Sequence, residues 1–189
     1  MLKDILDIEE ITLSQLSEKA NIPYSTLENI YLNKINISVI SPIVIEKLAL
    51  YFDTTVEIMN KRLAFPKRNS FSWFKSQICH YLKFEGDIPF VLDIVKKDYI
   101  TALWENKWYP ESLYLLAIID ILSKKYKVPL CNKYNFQRTQ KLATPLYPSD
   151  IICKCLVMND ESYKNEILKV CNKEFLKYNI IEGDIYDIQ

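Results

Sequence analysis

The sequence is poor in glycine: Gly86 and Gly183 are the only two among 189 residues. Tight turns between β-strands and loops that cradle phosphate groups depend on glycine, because other residues adopt the required backbone angles only with strain. The scarcity argues against a sheet-rich fold and against the usual nucleotide-hydrolysing proteins, which carry a glycine-rich loop. It favours an all-α fold.

The chain also lacks a net charge, since 24 lysines and arginines balance 24 aspartates and glutamates. This balance gives no overall attraction toward nucleic acid or an anionic membrane. The longest apolar run, residues 113–122, is interrupted by Asp120 and falls short of the roughly 20 residues that a membrane span needs. We therefore predict no membrane association. A hydrophobic content of 49% is enough for a substantial core.

Five cysteines and one histidine, His80, lack the spacing of a metal site or a disulfide framework. Cys153 and Cys155 have one residue between them, whereas structural zinc sites favour two to four. Buried, reduced thiols in a cytoplasmic protein without a signal peptide are the simplest interpretation. We predict no metal and no cofactor. We also predict no enzymatic activity, because His80 has no nucleophile in a recognisable catalytic motif.

The segment from Thr12 to Lys34 carries the clearest pattern in the sequence. Apolar residues recur there at helical spacing, interrupted around Asn21–Pro23; they are Leu16, Ala20, Ile22, Leu27 and Ile30. Thr12 followed by Gln15 is typical of a capping box at a helix start. Asn21 tolerates the left-handed conformation that ends a helix. The pattern predicts a helix, a sharp turn and a second short helix with polar side chains facing outward.

This segment resembles the helix-turn-helix of the Xre/Cro/phage-repressor family, and the resemblance covers about the first third of the chain. The matching residues are Leu16, Ser17, Ala20, Ile22, Ser25, Thr26, Leu27, Ile30, Asn33 and Lys34. Asn21 and Asn33 stand where the family commonly has glycine, and Ser17 stands where it commonly has alanine. The resemblance implies that Tyr24–Tyr31 is a recognition helix in the major groove of DNA.

The resemblance and the residue types together give a predicted DNA-binding set of Ser14, Gln15, Tyr24, Ser25, Thr26, Asn29 and Lys34. Asn29 can bond adenine through two hydrogen bonds, whereas Ser25 and Thr26 can reach bases or phosphates. The two residues at the start of the first helix would face a phosphate, aided by the helix dipole. The lysine would hold the DNA backbone just beyond the recognition helix.

The charge of the first 65 residues weakens this prediction. They carry six basic and nine acidic side chains, and Glu28 lies on the predicted recognition helix. Because phosphate neutralisation supplies most non-specific DNA affinity, the domain should bind weakly as a monomer. We therefore expect a homodimer on double-stranded DNA, with inverted half-sites about one helical turn apart. Arg62, Lys67 and Arg68 could add contacts to the DNA backbone.

The predicted domains are a five-helix Xre-like domain over residues 1–65, a linker over 66–70 and a second helical domain over 71–189. Within the first domain, Thr54 with Glu57 predicts the start of the fifth helix. In the second domain, helices are predicted over residues 71–84, 87–97, 99–107, 109–126, 134–142, 149–157 and 161–178. The tail from residue 180 alternates apolar and polar residues, and we expect either a short strand or a disordered end.

The second domain contains two features that could bind a partner. Trp104 and Trp108 lie four residues apart and would share one face of a continuous helix, as interface anchors often do; the alternative is a place in the domain core. The basic residues Lys124, Lys125, Lys127, Lys133, Arg138 and Lys141 could touch nucleic acid, although such sets are more often a solvated helix end.

The sequence predicts a repressor-like, sequence-specific transcriptional regulator whose second domain dimerises it or binds a protein or small-molecule effector. The alternative is an antitoxin-like or inhibitor-type protein-binding module, in which the helix-turn-helix represses its own operon or only dimerises. An enzyme would need a polar, concave site with perturbed pKa values in the second domain.

Overall fold

A computed structural model describes residues 1–186 and shows that the chain is all-α, as predicted. In that part of the chain, regular structure consists of α-helices, two 3-10 helices and one isolated parallel bridge between Leu146 and Ile180. The chain divides into two compact units: residues 1–68 with 105–107, and residues 69–104 with 108–189. A search of the described helices finds none with the length and apolar character to cross a membrane.

The first unit contains five α-helices and a 3-10 helix around one core. The α-helices are α1 Leu2–Ile8, α2 Leu13–Ala20, α3 Tyr24–Tyr31, α4 Pro42–Tyr51 and α5 Val56–Ala64, with the 3-10 helix at Ile37–Val39. Helix α2 packs against α3 and α4, α4 packs against α5, and α1 contacts α3 and α5. Leu16, Leu27, Leu48 and Met59 are fully buried where these helices meet. The five helices predicted for this region are confirmed.

Most residues of the described chain with a positive φ, several of them at helix ends, are not glycine; Gly86, which ends the helix Phe71–Glu85, is the one glycine among them. Nine non-glycine residues of the described chain have a positive φ: Glu10, Asn21, Asn33, Asp53, Asp98, Lys107, Lys127, Asn159 and Asn179. At Asn21, with φ 50° and ψ 51°, the Ile22 N–H donates to the Ser17 carbonyl and the Asn21 N–H to the Glu18 carbonyl. This is the Schellman arrangement, which satisfies carbonyls left open at a helix end. The left-handed conformation predicted at Asn21 is confirmed.

The second unit is built around one central helix, α9, which spans Tyr109–Lys125. Its side chains from Glu111 to Asp120 are all buried, and α6, α7, α10 and α13 pack against it. The Tyr114 ring of α9 stacks on the Phe175 ring of α13, with 5.1 Å between centroids. The other helices are α6 Phe71–Glu85, α7 Asp87–Lys97, α8 Tyr99–Glu105, α10 Asn135–Arg138, α11 Ser149–Met158, α12 Ser162–Val170 and α13 Lys173–Leu176, with a 3-10 helix at Asn132–Tyr134.

Two buried polar side chains of α9 find partners in neighbouring segments. The Ser112 hydroxyl donates to the Ile100 carbonyl at 2.8 Å. The Asp120 carboxylate accepts two hydrogen bonds from Arg138, at 2.9 Å from Nε and 2.8 Å from Nη2. Since buried polar groups are costly unless they are bonded, these contacts let α9 carry Ser112 and Asp120 inside the unit.

The helix predicted over residues 161–178 is wrong, because the structure breaks it into α12 and α13. Cys171 is extended, with φ −63° and ψ 140°, and Asn172 caps α13 by accepting from the Glu174 N–H at 3.0 Å. The Asn172 N–H donates to the Glu182 carbonyl at 2.8 Å, so the break is stabilised by the tail. The apolar spacing continues through the break, which is why the sequence pattern does not reveal it.

Other predicted boundaries need smaller corrections. Thr55, and not Thr54, caps α5, because its hydroxyl accepts from the Ile58 N–H at 3.2 Å. The helix predicted over residues 99–107 ends at Glu105, and that predicted over residues 134–142 is reduced to a 3-10 turn and the four residues of α10. The tail forms one bridge at Ile180 and buries further isoleucines. Residues 187–189 lie outside the described part of the tail.

Candidate functional site

The start of α2 is held by a reciprocal cap that fixes two predicted site residues. The Thr12 N–H donates to Gln15 Oε1 at 2.8 Å, and the Gln15 N–H donates to Thr12 Oγ1 at 3.2 Å. The predicted capping box is therefore confirmed. Because of this cap, the Gln15 side-chain carbonyl is already hydrogen-bonded to Thr12. The amide nitrogen of the same side chain remains able to donate to an acceptor outside the protein. Ser14, next to it, is exposed.

The turn between α2 and α3 is fixed by side chains on both of its sides. The Ser17 hydroxyl donates to the Ile22 carbonyl at 2.7 Å, and Lys47 Nζ of α4 donates to the Asn21 carbonyl at 2.6 Å. Ile22 itself is buried in the core. Because the turn is bonded to α2 and α4 and anchored by an apolar side chain, the direction of α3 relative to α2 is set before any ligand binds.

Helix α3 presents a polar face away from the core. Leu27 and Ile30 are buried and fix the orientation of the helix. Tyr24, 48% exposed, and Ser25 lie at its exposed N-terminal end. Asn29 is half-buried and follows Ser25 by four residues, so the two side chains lie on the same side of the helix. This face offers hydroxyl and amide groups, which can both donate and accept hydrogen bonds.

The C-terminal end of α3 places a cation just beyond this polar face. Asn33 has φ 53°, and its N–H donates to the Ile30 carbonyl while the Lys34 N–H donates to the Asn29 carbonyl at 2.9 Å. Asn33, which stands where the family commonly has glycine, adopts the left-handed conformation, and Lys34 is exposed. The seven predicted site residues lie at the start of α2, along α3 and, for Lys34, just beyond the end of α3. Of these seven, Thr26 and Asn29 are half-buried and the others are exposed.

Arg62 is not available for the predicted contact to a DNA backbone. It is 3% exposed, its Nη2 donates to Glu9 Oε1 at 3.4 Å, and its guanidinium lies over the Phe52 ring. The prediction for Arg62 is therefore wrong, because the residue lies in the interior of the first unit. Its burial removes one of the six cations of residues 1–65 that could contact a phosphate. Lys67 is exposed and Arg68 is half-buried.

The two tryptophans proposed as a partner-binding pair do not share a helix. Trp104 belongs to α8, which ends at Glu105, whereas Trp108 precedes α9 and is 7% exposed. Trp104 is half-buried, with its ring 4.6 Å from that of Tyr109 and 5.9 Å from that of Phe136, measured between centroids. The common face assumed for the pair is therefore wrong, and Trp108 lies in the interior.

Four members of the basic set from the second domain are already paired with carboxylates. Lys124 contacts Glu174 at 2.5 Å, Lys125 contacts Asp87 at 2.7 Å, Lys133 contacts Asp98 at 2.7 Å and Arg138 contacts Asp120 at 2.8 Å. Each of these pairs links two separate segments of the second unit. The geometry therefore favours a structural role for these cations over a surface for nucleic acid.

The Asp87 carboxylate accepts hydrogen bonds from three side chains of the second unit. It accepts from Lys125 at 2.7 Å, from the Tyr126 hydroxyl at 2.8 Å and from the Tyr186 hydroxyl at 2.6 Å. Burial alone would raise the pKa of Asp87, but these hydrogen bonds lower it below its usual value. A carboxylate bonded in this way is a poor general base. The apolar cavity beside it, of about 210 Å³, includes Ile88, Leu92 and Val128 in its lining.

The five cysteines form no disulfide in the described chain and have different surroundings. Cys79 and Cys155 are buried, and burial raises the pKa of the Cys79 thiol, which makes it a weak nucleophile. Cys153 is exposed, so the prediction that it is a buried thiol is wrong. Among residues 1–186, no group of three or more histidine, cysteine, aspartate or glutamate side chains has the arrangement to hold a metal ion.

Sequence reasoning missed the largest exposed apolar side chains of the second unit. Phe84 of α6 is 86% exposed, and Leu156 and Val157 of α11 are 76% and 81% exposed. The signal was present in α11, where seven of ten residues are apolar and the polar side is a narrow stripe that contains Asp150 and Lys154. A helix with so wide an apolar surface is normally covered over most of it.

Comparisons of the chain with protein-family models, with curated proteins and with solved structures find no match. A functional assignment therefore depends on the geometry of the chain itself. The most informative part of that geometry is the exposed polar face of α3, set at a fixed angle by α2 and the bonded turn between them.

Proposed function

We propose that the chain is a sequence-specific, repressor-like DNA-binding regulator that uses α2 and α3 as an Xre-type helix-turn-helix. The observation that carries this proposal is the polar, exposed N-terminal half of α3, which follows a short, bonded turn. In such motifs the N-terminal residues of the second helix contact base edges in the major groove. Ser25 and Asn29 would read bases, and Tyr24 and Thr26 would contact bases or phosphates.

The start of α2 supports the same orientation on DNA. The free N–H groups of a helix N-terminus attract phosphate, and the exposed Ser14 hydroxyl and Gln15 amide nitrogen add donors there. Lys34, beyond the end of α3, would contact a second phosphate. The Ser17 hydroxyl bonds the turn in a way that alanine, the common residue of the family at this place, cannot.

The acidic character of the first unit implies that two copies act together. With Arg62 buried and Glu28 on α3, few cations remain to neutralise phosphates. A dimer doubles the contacts of each copy and matches an inverted-repeat operator. We therefore propose double-stranded DNA as the ligand and a homodimer as the binding form.

Fluorescence anisotropy with labelled duplex DNA from immediately upstream of the gene tests the proposal, with scrambled DNA for comparison at low and physiological salt. Asn29→Ala and Ser25→Ala should each weaken specific binding by roughly 1–3 kcal/mol, about 5- to 150-fold, without changing helicity. Gln77→Ala, at an exposed position of α6, is the matched control and should bind normally. Equal affinity of wild type and both variants for the upstream DNA would exclude α3 as the recognition helix.

A second candidate function, an antitoxin-like or inhibitor-type module, is favoured by the acidic balance of the first unit. Glu28→Gln separates the two. If α3 lies in the major groove, removing this carboxylate should strengthen DNA binding several-fold, and most at low salt, because one anion no longer faces the phosphates. If the face binds a protein cation, the substitution leaves DNA binding weak and equal for both duplexes, and the protein-binding function becomes the better explanation.

A further inference from the structure

The second unit contains an apolar cavity between α7 and the C-terminal end of α9. Leu122 and Ser123 of α9 are buried and form its floor. Ile88, Leu92 and Val128 stand at its mouth, where they are 56%, 64% and 52% exposed. Because the mouth is open in the structure, a small ligand can enter without a movement of either helix.

The interior of this cavity favours an apolar molecule over water. Its walls present only apolar atoms. The polar groups at its edge are bonded to one another, since Asp87 accepts from Lys125 at 2.7 Å and from the Tyr126 hydroxyl at 2.8 Å. A water molecule held in a cavity needs two to four polar partners, and the described residues offer none inside this one.

The size of the cavity limits the ligand to one small molecule. Its volume is about 210 Å³, whereas an engineered apolar cavity of about 150 Å³ stays dry and binds benzene. At the packing density of protein interiors, the space holds on the order of six to ten non-hydrogen atoms. Sites for drug-sized ligands are larger, roughly 300–1,000 Å³.

The charges at the rim favour an uncharged ligand. The Asp87 carboxylate and the Lys125 ammonium balance each other, and the Tyr126 and Tyr186 hydroxyls both donate to the carboxylate. A charged ligand would lose hydration at a rim whose two charges are already paired. An uncharged ligand avoids this cost and matches the neutral field of the rim.

The surroundings of the cavity suit a small molecule better than a protein partner. Charged residues follow on both elements that form it; they are Asp93, Lys96 and Lys97 on α7, and Lys124, Lys125 and Lys127 at and beyond the end of α9. The buried centre of a protein–protein interface is depleted in charged residues, and in lysine in particular. A small molecule would leave these charges in water, because it needs only the cavity itself.

We propose that the cavity between α7 and the end of α9 binds one small, uncharged, apolar molecule, aromatic or aliphatic. The buried floor supplies van der Waals contacts, and the half-exposed side chains at the mouth cover the sides of the ligand. The bonded rim of Asp87, Lys125 and the two tyrosines excludes charged competitors. For a single ring, burial of most of its apolar surface corresponds to a Kd of about 1 mM.

This inference deepens the proposed function, because it names the chemical class of effector that the second unit of the regulator would bind. It rests on the proposed function for that role alone, since the volume, the apolar walls and the neutral rim do not depend on DNA. The experiment is therefore done on the full chain without DNA, so that its failure and a failure of DNA binding are separate results.

The probe is fluorobenzene, titrated to roughly 10 mM, ten times the expected Kd, into the full chain labelled at its isoleucine, leucine and valine methyl groups. Saturable changes in methyl chemical shift are expected at five residues of the lining, Ile88, Val91, Leu92, Leu122 and Val128. The open trough between α11 and α12 is the internal control, because its apolar walls also carry Lys154 and Glu166. An absence of saturation at the five residues, or larger shifts at the trough, would overturn the proposal.

A matched pair of variants tests the position of the ligand by fluorine NMR of the same probe. Leu92→Asp places a carboxylate at the mouth and should weaken binding at least fivefold. Leu156→Asp, at an exposed position of α11 outside the cavity, should leave the Kd unchanged. Both leucines are largely exposed, so neither substitution removes a core side chain. Equal affinities of the two variants would contradict the assignment to this cavity.

Two further titrations test the class of ligand and the occupant. Benzoate and benzylammonium, which add a charge of either sign to the ring, should each bind at least fivefold more weakly than fluorobenzene, and equal or tighter binding of either would refute the uncharged class. A variant without residues 187–189, which follow Tyr186 at the rim, should bind fluorobenzene with the same Kd. Saturable shifts in that variant alone would assign the cavity to those residues and overturn the proposal.

Discussion

The ion pair between Asp120 and Arg138 gives a sharp test of how the second unit is held together. Asp120 is 3% exposed on the central helix α9, and Arg138 belongs to the short helix α10. The arginine donates twice to Asp120, and its Nη1 also donates to the Cys131 carbonyl at 2.6 Å and to Asn135 Oδ1 at 2.9 Å. One guanidinium thus connects α9 to the segment that leads into α10. The perturbation is to remove one partner, then the other, then both.

The expected magnitudes differ between the single and double variants. Arg138→Met leaves a buried carboxylate without its partner, and Asp120→Leu leaves a nearly buried guanidinium, so each should lower the free energy of unfolding by about 3–5 kcal/mol. Asp120→Leu/Arg138→Met replaces both charges by apolar groups of similar size and loses only the two neutral acceptors of Arg138. At roughly 1 kcal/mol for each lost hydrogen bond, the double variant should lose about 2 kcal/mol. The coupling energy is then at least about 4 kcal/mol.

Urea unfolding followed by tryptophan fluorescence measures the free energy of unfolding of the second unit, which contains this ion pair. Trp73, Trp104 and Trp108 all belong to the second unit, so their emission reports on that unit, whereas circular dichroism reports on both. Equal slopes of free energy against urea for all variants would show that the differences are in stability. A double variant whose loss equals the sum of the single losses would refute the reasoning, because the two side chains would then act independently.

Three further predictions concern local contacts. Thr55→Ala should lower the free energy of unfolding by about 1 kcal/mol, because it removes the α5 cap, whereas Thr54→Ala should change it little. Urea unfolding followed by circular dichroism measures both, because the first unit has no tryptophan. Lys127→Gly should raise thermal stability by about 0.5–1 kcal/mol, because glycine adopts the positive φ at the end of α9 without strain; an unchanged or lower melting temperature would contradict this. The Tyr81 hydroxyl donates to Asp93 at 2.6 Å, which raises the pKa of Tyr81 from 10.0 to about 12. The resulting stabilisation of the folded state is fully present below pH 10 and is lost as the pH rises toward 12. Tyr81→Phe should remove one step of phenolate absorbance near pH 12 and leave the steps at lower pH unchanged.

Local patterns predicted the first unit well because each of its elements is specified by neighbours in the sequence. Thr12 and Gln15 cap each other across three residues, and Asn21 ends α2 by its own backbone preference. The cap of α5 was misplaced by one residue because Thr54 and Thr55 are chemically equivalent, and only the chain direction after Asp53 decides between them. Such a choice depends on the packed structure and not on the residue types.

Tertiary contacts account for what the sequence did not reveal. The break between α12 and α13 is stabilised at Asn172, because its N–H donates a hydrogen bond to the Glu182 carbonyl, ten residues further along the chain. Arg62 looked like a surface cation, yet its partner Glu9 lies 53 residues away in the sequence. For the candidate site, residue types alone identified the polar positions of α3, because burial of Leu27 and Ile30 already fixes which side faces outward.

The position of α9 in the chain also affects how the protein is made. The ring face of Tyr114 is covered by Phe175, which the ribosome adds roughly 60 residues later, or about 3–12 s at ordinary elongation rates. During that interval the helix with the most buried side chains has been synthesised while its C-terminal cover has not. A newly made chain is therefore most exposed to aggregation and to chaperone binding in this period, and a slow codon placed between α9 and α13 would lengthen it.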